Sequence, residues 1–184
     1  SEVGNFIPPL VLDHAIQTDA PAGYGCMTSS ADYFRIRYDI ERSMRDSVQV
    51  IKETEEAFAQ TFGRKYSWTE EYRCEDADVL ILAMGTLGKE AEVAVDILRN
   101  EGVKAGSMRV RWIRPFPALN LGDRELVVID RNYSFGFGGI LATSIRAKTG
   151  KECYNVIAGL GGQEVTYHDI AGFVRDRRIG EEFW

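Results

Sequence analysis

Phosphate cradles in α/β proteins are built from glycines and small residues placed between a strand and the helix that follows it. Three stretches of this protein have that make-up: "MGTLGKE" (residues 84–90), "DRNYSFGFGG" (130–139) and "AGLGGQEVT" (158–166). Glycine lets backbone N–H groups approach a ligand, and a helix N-terminus favours the negative charge of a phosphate. None of the three completes a dinucleotide fingerprint, because Leu141 stands where "GFGGIL" would need its third glycine, and no Gly-Lys-Ser/Thr of a P-loop is present. Each stretch therefore reads either as an anion site or as a tight turn with close backbone packing.

Other reactive residues are sparse. Cys26, Cys74 and Cys153 are widely separated and form no C-x-x-C pair, so neither a disulfide framework nor a metal site is expected. His14 and His168 are isolated from any partner in sequence. No G-x-S-x-G, H-E-x-x-H or distinctive carboxylate pair occurs, and no catalytic, cofactor-binding or metal-binding residue is assigned. In "RVRWIRPFP" (109–117), Pro115 and Pro117 end a strand while Arg111 and Arg114 flank Trp112 and Phe116. That mix fits a strand end with solvated arginines, a domain or subunit contact, or a grip on a substrate carboxylate.

The positions of these residues follow from the elements around them. "DVLILAMG" is a continuous apolar run ending in glycine, and "KEAEVAVDILRNEG" behind it places Ala91, Val95 and Leu98 on one helical face. "SMRVRWI" and "ELVVIDR" read as strands, "GILATSIRAKTG" as a short helix, "CYNVIAGL" as a fourth strand, and "TYHDIAGFVRDRR" as a last helix with a capping box at Thr166 and Asp169. Alternating strands and helices over residues 78–178 predict a mostly parallel sheet with helices on its faces. Ahead of it, residues 1–30 carry Pro8, Pro9, Pro21 and "GYG" and read as an extended arm. Residues 31–63 then form a long linker helix. Ile40, Met44, Val48, Ile51, Phe58 and Phe62 draw one apolar stripe along it, and Gly63 stops it. A helix of that length spans about 45 Å, more than one small core covers, so part of its stripe should meet another domain or subunit.

Composition bounds the partners. The 184 residues are 45% hydrophobic and carry a formal net charge of -6, which argues against a nucleic-acid or anionic-membrane footprint. No apolar run is long enough to span a membrane, and a cytoplasmic location is expected.

The stretch from "YRCEDADVLILAMG" through "RVRWIRPFP", with "VVIDRNYSFGFGG" and "IAGLGGQEVT" after it, resembles the carboxy-terminal portion of the alpha subunit of pyruvate:ferredoxin oxidoreductases and related 2-oxoacid:acceptor oxidoreductases. The resemblance rests on ordered motifs: Tyr72-Arg73, Met84-Gly85, Arg114-Pro115-Phe116-Pro117, Asp130-Arg131-Asn132 and Gly159 to Gly162. It implies that residues 64–184 form a domain like the C-terminal domain of transketolase, a three-layer α/β sandwich with a five-stranded, mostly parallel sheet. The fifth strand, near Glu70 to Arg73, would be antiparallel. It also implies a structural and assembly part of an enzyme that decarboxylates a 2-oxoacid, foremost pyruvate, on thiamine diphosphate and passes electrons through iron–sulfur clusters to ferredoxin, forming acyl-coenzyme A. The thiamine, Mg²⁺ and cluster motifs are missing here, so this polypeptide alone is expected to be inactive and the other domains or subunits to be its partners. Arg114, Phe116, Arg131, Asn132, Gly136, Gly138 and Gly139 are the candidate interface residues. The alternative is a free-standing flavodoxin-like domain that binds an anion or nucleotide at the turns near Gly85 and Gly136.

Overall fold

A computed structural model describes residue 4, residues 18–20, 23, 25, 27–177 and 180–184 of the protein. His14 and Cys26 and most of the expected arm lie outside the described residues. The polypeptide divides into two units, Ser1–Arg42 and Ser43–Trp184, and the sheet belongs wholly to the second.

Helix α1 runs over Ser30–Phe62. Ser29 caps it: its Oγ accepts from the Asp32 N–H at 3.1 Å and donates to the Asp32 carboxylate at 2.7 Å. Gly63, with φ of 65°, takes the left-handed conformation that ends it. None of its 33 residues is buried. Ile40 and Met44, which begin the apolar stripe drawn by the sequence, are exposed, as are Tyr33, Phe34 and Ile36 before them.

The sheet has six strands: β1 (Thr69–Tyr72), β2 (Val79–Met84), β3 (Ala105–Val110), β4 (Glu125–Asp130), β5 (Tyr154–Ile157) and β6 (Gly180–Phe183). Their order is β1-β3-β2-β4-β5-β6, with β1 antiparallel to β3 and all other pairs parallel. The expected α/β class and mostly parallel sheet are present. A sixth strand joins the five expected, because "GEEF" is short, polar and on an edge, with no periodicity to give it away.

Helices α2 (Leu87–Asn100), α3 (Ile140–Thr149) and α4 (Tyr167–Arg175) cover the faces. Central β2 shows why its sequence is an unbroken apolar run. Val79, Ile81 and Ala83 join α2 and α4 in one core cluster, while Leu80 and Leu82 join α3 in the other. No helix links β3 to β4. Instead Ile113, Phe116, Leu119 and Leu121 of the connecting loop pack onto the α3 face. The steps β4 to β5 and β5 to β6 run the same way along the sheet, yet α3 and α4 lie on opposite faces. The last crossover therefore has the opposite hand to the others, against the usual right-handed preference.

Candidate interaction surface

Strand order reverses between β2 and β4, so the crevice at their carboxyl ends is the topological switch point where α/β folds bind ligands. Two helix N-termini flank it, and they are treated differently. From β4 the backbone leaves through Asp130-Arg131-Asn132 and enters α3 after Gly139. Asp130 is 2% exposed; its Oδ1 accepts from the Leu141 N–H at 2.9 Å and its Oδ2 from the Ala142 N–H at 3.1 Å. Asn155, on β5, accepts from the Gly139 N–H at 3.1 Å and donates to Asp130 Oδ2 and the Val128 carbonyl, each at 3.1 Å. Asn132 accepts from the Ile140 N–H at 3.0 Å. All four N–H groups that a helix start leaves without an intrahelical partner are thus taken by side chains of the same polypeptide. Burial pushes the Asp130 carboxyl above its ordinary range, while the two backbone amides and the Asn155 amide pull it back.

Glycine is required at 139 by packing and favoured at 138 by its φ of 104°. A Cβ on Gly139 would lie 2.1 Å from Asp130 Oδ2, and one on Gly138 would lie 2.2 Å from Glu181 Oε2. Gly136 is open to solvent and has φ of 73° at the third position of a turn closed by the Phe137 N–H donating to the Ser134 carbonyl at 2.9 Å. That turn lifts Phe135 and Phe137 out of the surface, 94% and 71% exposed. Tyr133 supports it from behind, its ring 5.7 Å from Phe135 and 4.6 Å from Phe183 of β6. Arg131 is exposed and passes over Gly159, where a Cβ would stand 2.7 Å from its Nε. Phe135 and Phe137 are not among the residues singled out by sequence. Their signal is two aromatics flanking a glycine in a loop that has no core of its own to fill.

The "RVRWIRPFP" cluster splits. Arg111 is used internally, donating to Glu70 Oε2 at 2.6 Å and to the Ser67 carbonyl at 3.2 Å and stacking 5.1 Å from the Tyr66 ring centre. Arg109 and Lys89 also bond Glu70, at 3.2 Å and 2.7 Å. Burial opposes the ionisation of Glu70, but the Lys89 hydrogen bond and the Arg111 and Lys89 charges, with the Arg109 bond, hold its carboxyl below the ordinary range. Phe116 is half-buried against the α3-side core. Arg114 is exposed and bonds the carbonyl of its own neighbour Ile113 at 2.7 Å. Trp112 is exposed too, and with Val50, Ile51, Phe58 and Tyr66 it lines an apolar cavity of about 220 Å³. This cavity and the Phe135–Phe137 turn are therefore uncovered apolar surfaces among the described residues of the second unit.

The cofactors implied by the resemblance do not fit the described residues. Among them no three His, Cys, Asp or Glu side chains converge on a metal position. Cys74 and Cys153 are buried, and burial pushes the Cys153 thiol up to about 11, far from the thiolate an iron–sulfur cluster needs. The α3 N-terminus, the natural seat for a diphosphate, is filled by Asp130. His168 is the second residue of α4, with its ring 4.4 Å from that of Tyr167. Among the described residues no helix is long and apolar enough to cross a membrane.

Residues 77–170, just over half of the sequence, match the family model described as pyruvate:ferredoxin oxidoreductase core domain II. Pyruvate synthase subunit PorA of Methanothermobacter thermautotrophicus is 35% identical over 95% of this protein and 47% of its own length. Ketoisovalerate oxidoreductase subunit VorA of Pyrococcus horikoshii is 36% identical over 96% of this protein and 48% of its own. The polypeptide thus spans about half the length of the curated relatives it matches. A solved 2-oxoglutarate:ferredoxin oxidoreductase from Magnetococcus marinus is 25% identical over 65% of this protein and 21% of its own, with a TM-score of 0.46.

Proposed function

Since the protein belongs to the pyruvate:ferredoxin oxidoreductase family, we propose that it is the structural and assembly part of the alpha subunit of a 2-oxoacid:ferredoxin oxidoreductase. Pyruvate is the leading substrate of that enzyme, supported by the family description and by the likeness to pyruvate synthase subunits. Ketoisovalerate is the competing candidate, since the VorA likeness is level with it. The parent enzyme uses thiamine diphosphate with Mg²⁺, iron–sulfur clusters and coenzyme A, and hands electrons to ferredoxin. In this reading those groups sit on its other domains or subunits.

The observation that carries the assembly role is the Phe135–Phe137 turn. A hydrogen-bonded turn that holds two phenyl rings in water without covering any core has the features of an interface anchor: aromatic, rigid, and low in ordering cost. Arg131, Asn132, Gly136, Gly138 and Gly139 belong to the same loop. Arg131 borders the turn, Asn132 and the two buried glycines fix its base, and Gly136 shapes its tip. Arg114 and Phe116, with exposed Trp112 nearby in sequence, mark the second contact region.

The test is reconstitution with the remaining half of the alpha polypeptide supplied in trans, followed by size-exclusion with light scattering. The wild-type protein should form a complex, and the Phe135→Asp, Phe137→Asp double variant should fail to, with its own Tm unchanged. Turnover of a 2-oxoacid by the isolated protein, or full complex formation by the double variant, overturns the reading. At the turn after β4 the anion-binding alternative is disfavoured, because the four N–H groups of the α3 start already have side-chain acceptors. It retains only the Gly85 turn, and calorimetric titration with coenzyme A, NAD and FMN tests it there.

A further inference from the structure

We propose that Asp130 is a built-in ligand: its carboxylate occupies the anion position that the strand-to-helix turn at the switch point would otherwise offer to a phosphate or carboxylate from outside. A helix begins with four N–H groups that no intrahelical carbonyl can reach, and together with the helix dipole they attract an anion. At α3 the last two of these donors, Leu141 N–H and Ala142 N–H, each bond one oxygen of Asp130, at 2.9 Å and 3.1 Å. That is a two-point grip on a carboxylate, of the kind an external anion would receive.

The surroundings hold the carboxylate in place. Asn155 is fully buried, and its amide nitrogen bonds Asp130 Oδ2 while its carbonyl oxygen takes the Gly139 N–H, which fixes the amide in one orientation. Gly139 has φ of -66° and ψ of 141°, a conformation open to any residue, so glycine is needed there only because a methyl group would meet Asp130. The four donors are shared among Asp130, Asn132 and Asn155. Occupancy and like charge then both exclude a second anion. None of this depends on the oxidoreductase assignment, because it concerns donors and acceptors within one polypeptide.

Formate has the charge and shape of the group that Asp130→Ala removes, so it reads the site directly. Thermal unfolding of wild type, Asp130→Ala and Asp130→Asn is followed in a formate series held at constant ionic strength with chloride. Asp130→Ala should lose roughly 10 °C in Tm, the loss expected when buried charge-assisted bonds are left open. Formate should restore much of that loss in a saturable way, and slow the amide exchange of Leu141 and Ala142 in the same variant. Wild type should not respond, and Asp130→Asn should not respond either, since its amide fills the space. If Asp130→Ala folds only with formate present, the proposal stands. If it fails equally in formate and chloride, or if wild type and Asp130→Ala respond to formate alike, the proposal is overturned.

Discussion

The two strand-to-helix turns beside the switch point occupy equivalent places in the fold and are finished in opposite ways. The turn from β2 to α2 is Gly85-Thr86, and Thr86 makes no side-chain cap; its carbonyl takes the Lys89 N–H at 2.9 Å. Lys89 in that first turn works against the helix dipole and is compensated by Glu70 and Glu92, each 2.7 Å away. The turn from β4 to α3 takes nine residues, satisfies every helix-start donor with side chains, and uses the slack to project two phenyl rings. A strand-to-helix turn can be a ligand cradle, a plain connection or an internally closed platform. Composition is shared by all three, and the acceptor inside the turn distinguishes them.

The sharpest way to break this comparison is a methyl group at each turn. Gly139→Ala should cost about 3 kcal/mol or more, because Asp130 is pinned by three donors and cannot yield, a loss in the range of overpacked buried sites. Gly85→Ala meets nothing within 4 Å and should cost only about 1–2 kcal/mol, from its φ of 60°. Urea denaturation of both variants measures the difference; equal costs would mean that the β4 turn is not closed as described.

Adding a negative charge to each helix start is the next test. Thr86→Asp should stabilise by roughly 0.3–1 kcal/mol at low salt, an effect that fades as salt is added. Ile140→Asp places the same charge beside the anionic Asp130 site and should be neutral or destabilising. Stabilisation at both positions would contradict the internal occupancy of the α3 start.

The two carboxylates should also differ in their response to pH. The Glu70 carboxyl is held below its ordinary 4.5, so its contribution is present above that value and is lost as pH falls through the folded one. Glu70→Gln should therefore flatten the acid limb of stability by at most a few tenths of a kcal/mol, the scale of a partly exposed ion pair. Asp130 has the opposite sign: burial raises its carboxyl, so stability falls as pH rises from the ordinary 3.8 through the folded value. Denaturation curves across the acid range for wild type and Glu70→Gln check the direction. The smallest effect belongs to the exposed tip. Phe135→Ala and Phe137→Ala should leave stability within about 0.5 kcal/mol, since neither ring covers a core; a larger loss in urea denaturation would make the tip a folding element rather than a contact.

Much of the fold is legible from residue types. β2 reads as a buried central strand because six consecutive apolar residues suit a position covered on both faces. The Thr166/Asp169 capping box is in place at α4, since both partners of that motif lie within four residues of each other. The candidate surface is legible only in part. Arg131, Asn132 and the glycines are visible as a motif, but their roles are not, because Gly139 is set by Asp130 and Asn155, and Asn155 is on another strand. Arg111 has the make-up of a contact residue in sequence, but β1 brings Glu70 beside it and uses it internally.

The sequence by itself determined the α/β class, the long helix with its apolar stripe, the mostly parallel order of the elements, and the ordered motifs that mark the family. These depend on local propensity and periodicity, which a single stretch of polypeptide carries. Tertiary structure alone decided that "DRNYSFGFGG" is closed from within. Its anion site is filled by a carboxylate at its start and locked by an amide from β5, 25 residues along the sequence from Asp130. No local pattern encodes that pairing; it exists only because β4 and β5 lie side by side.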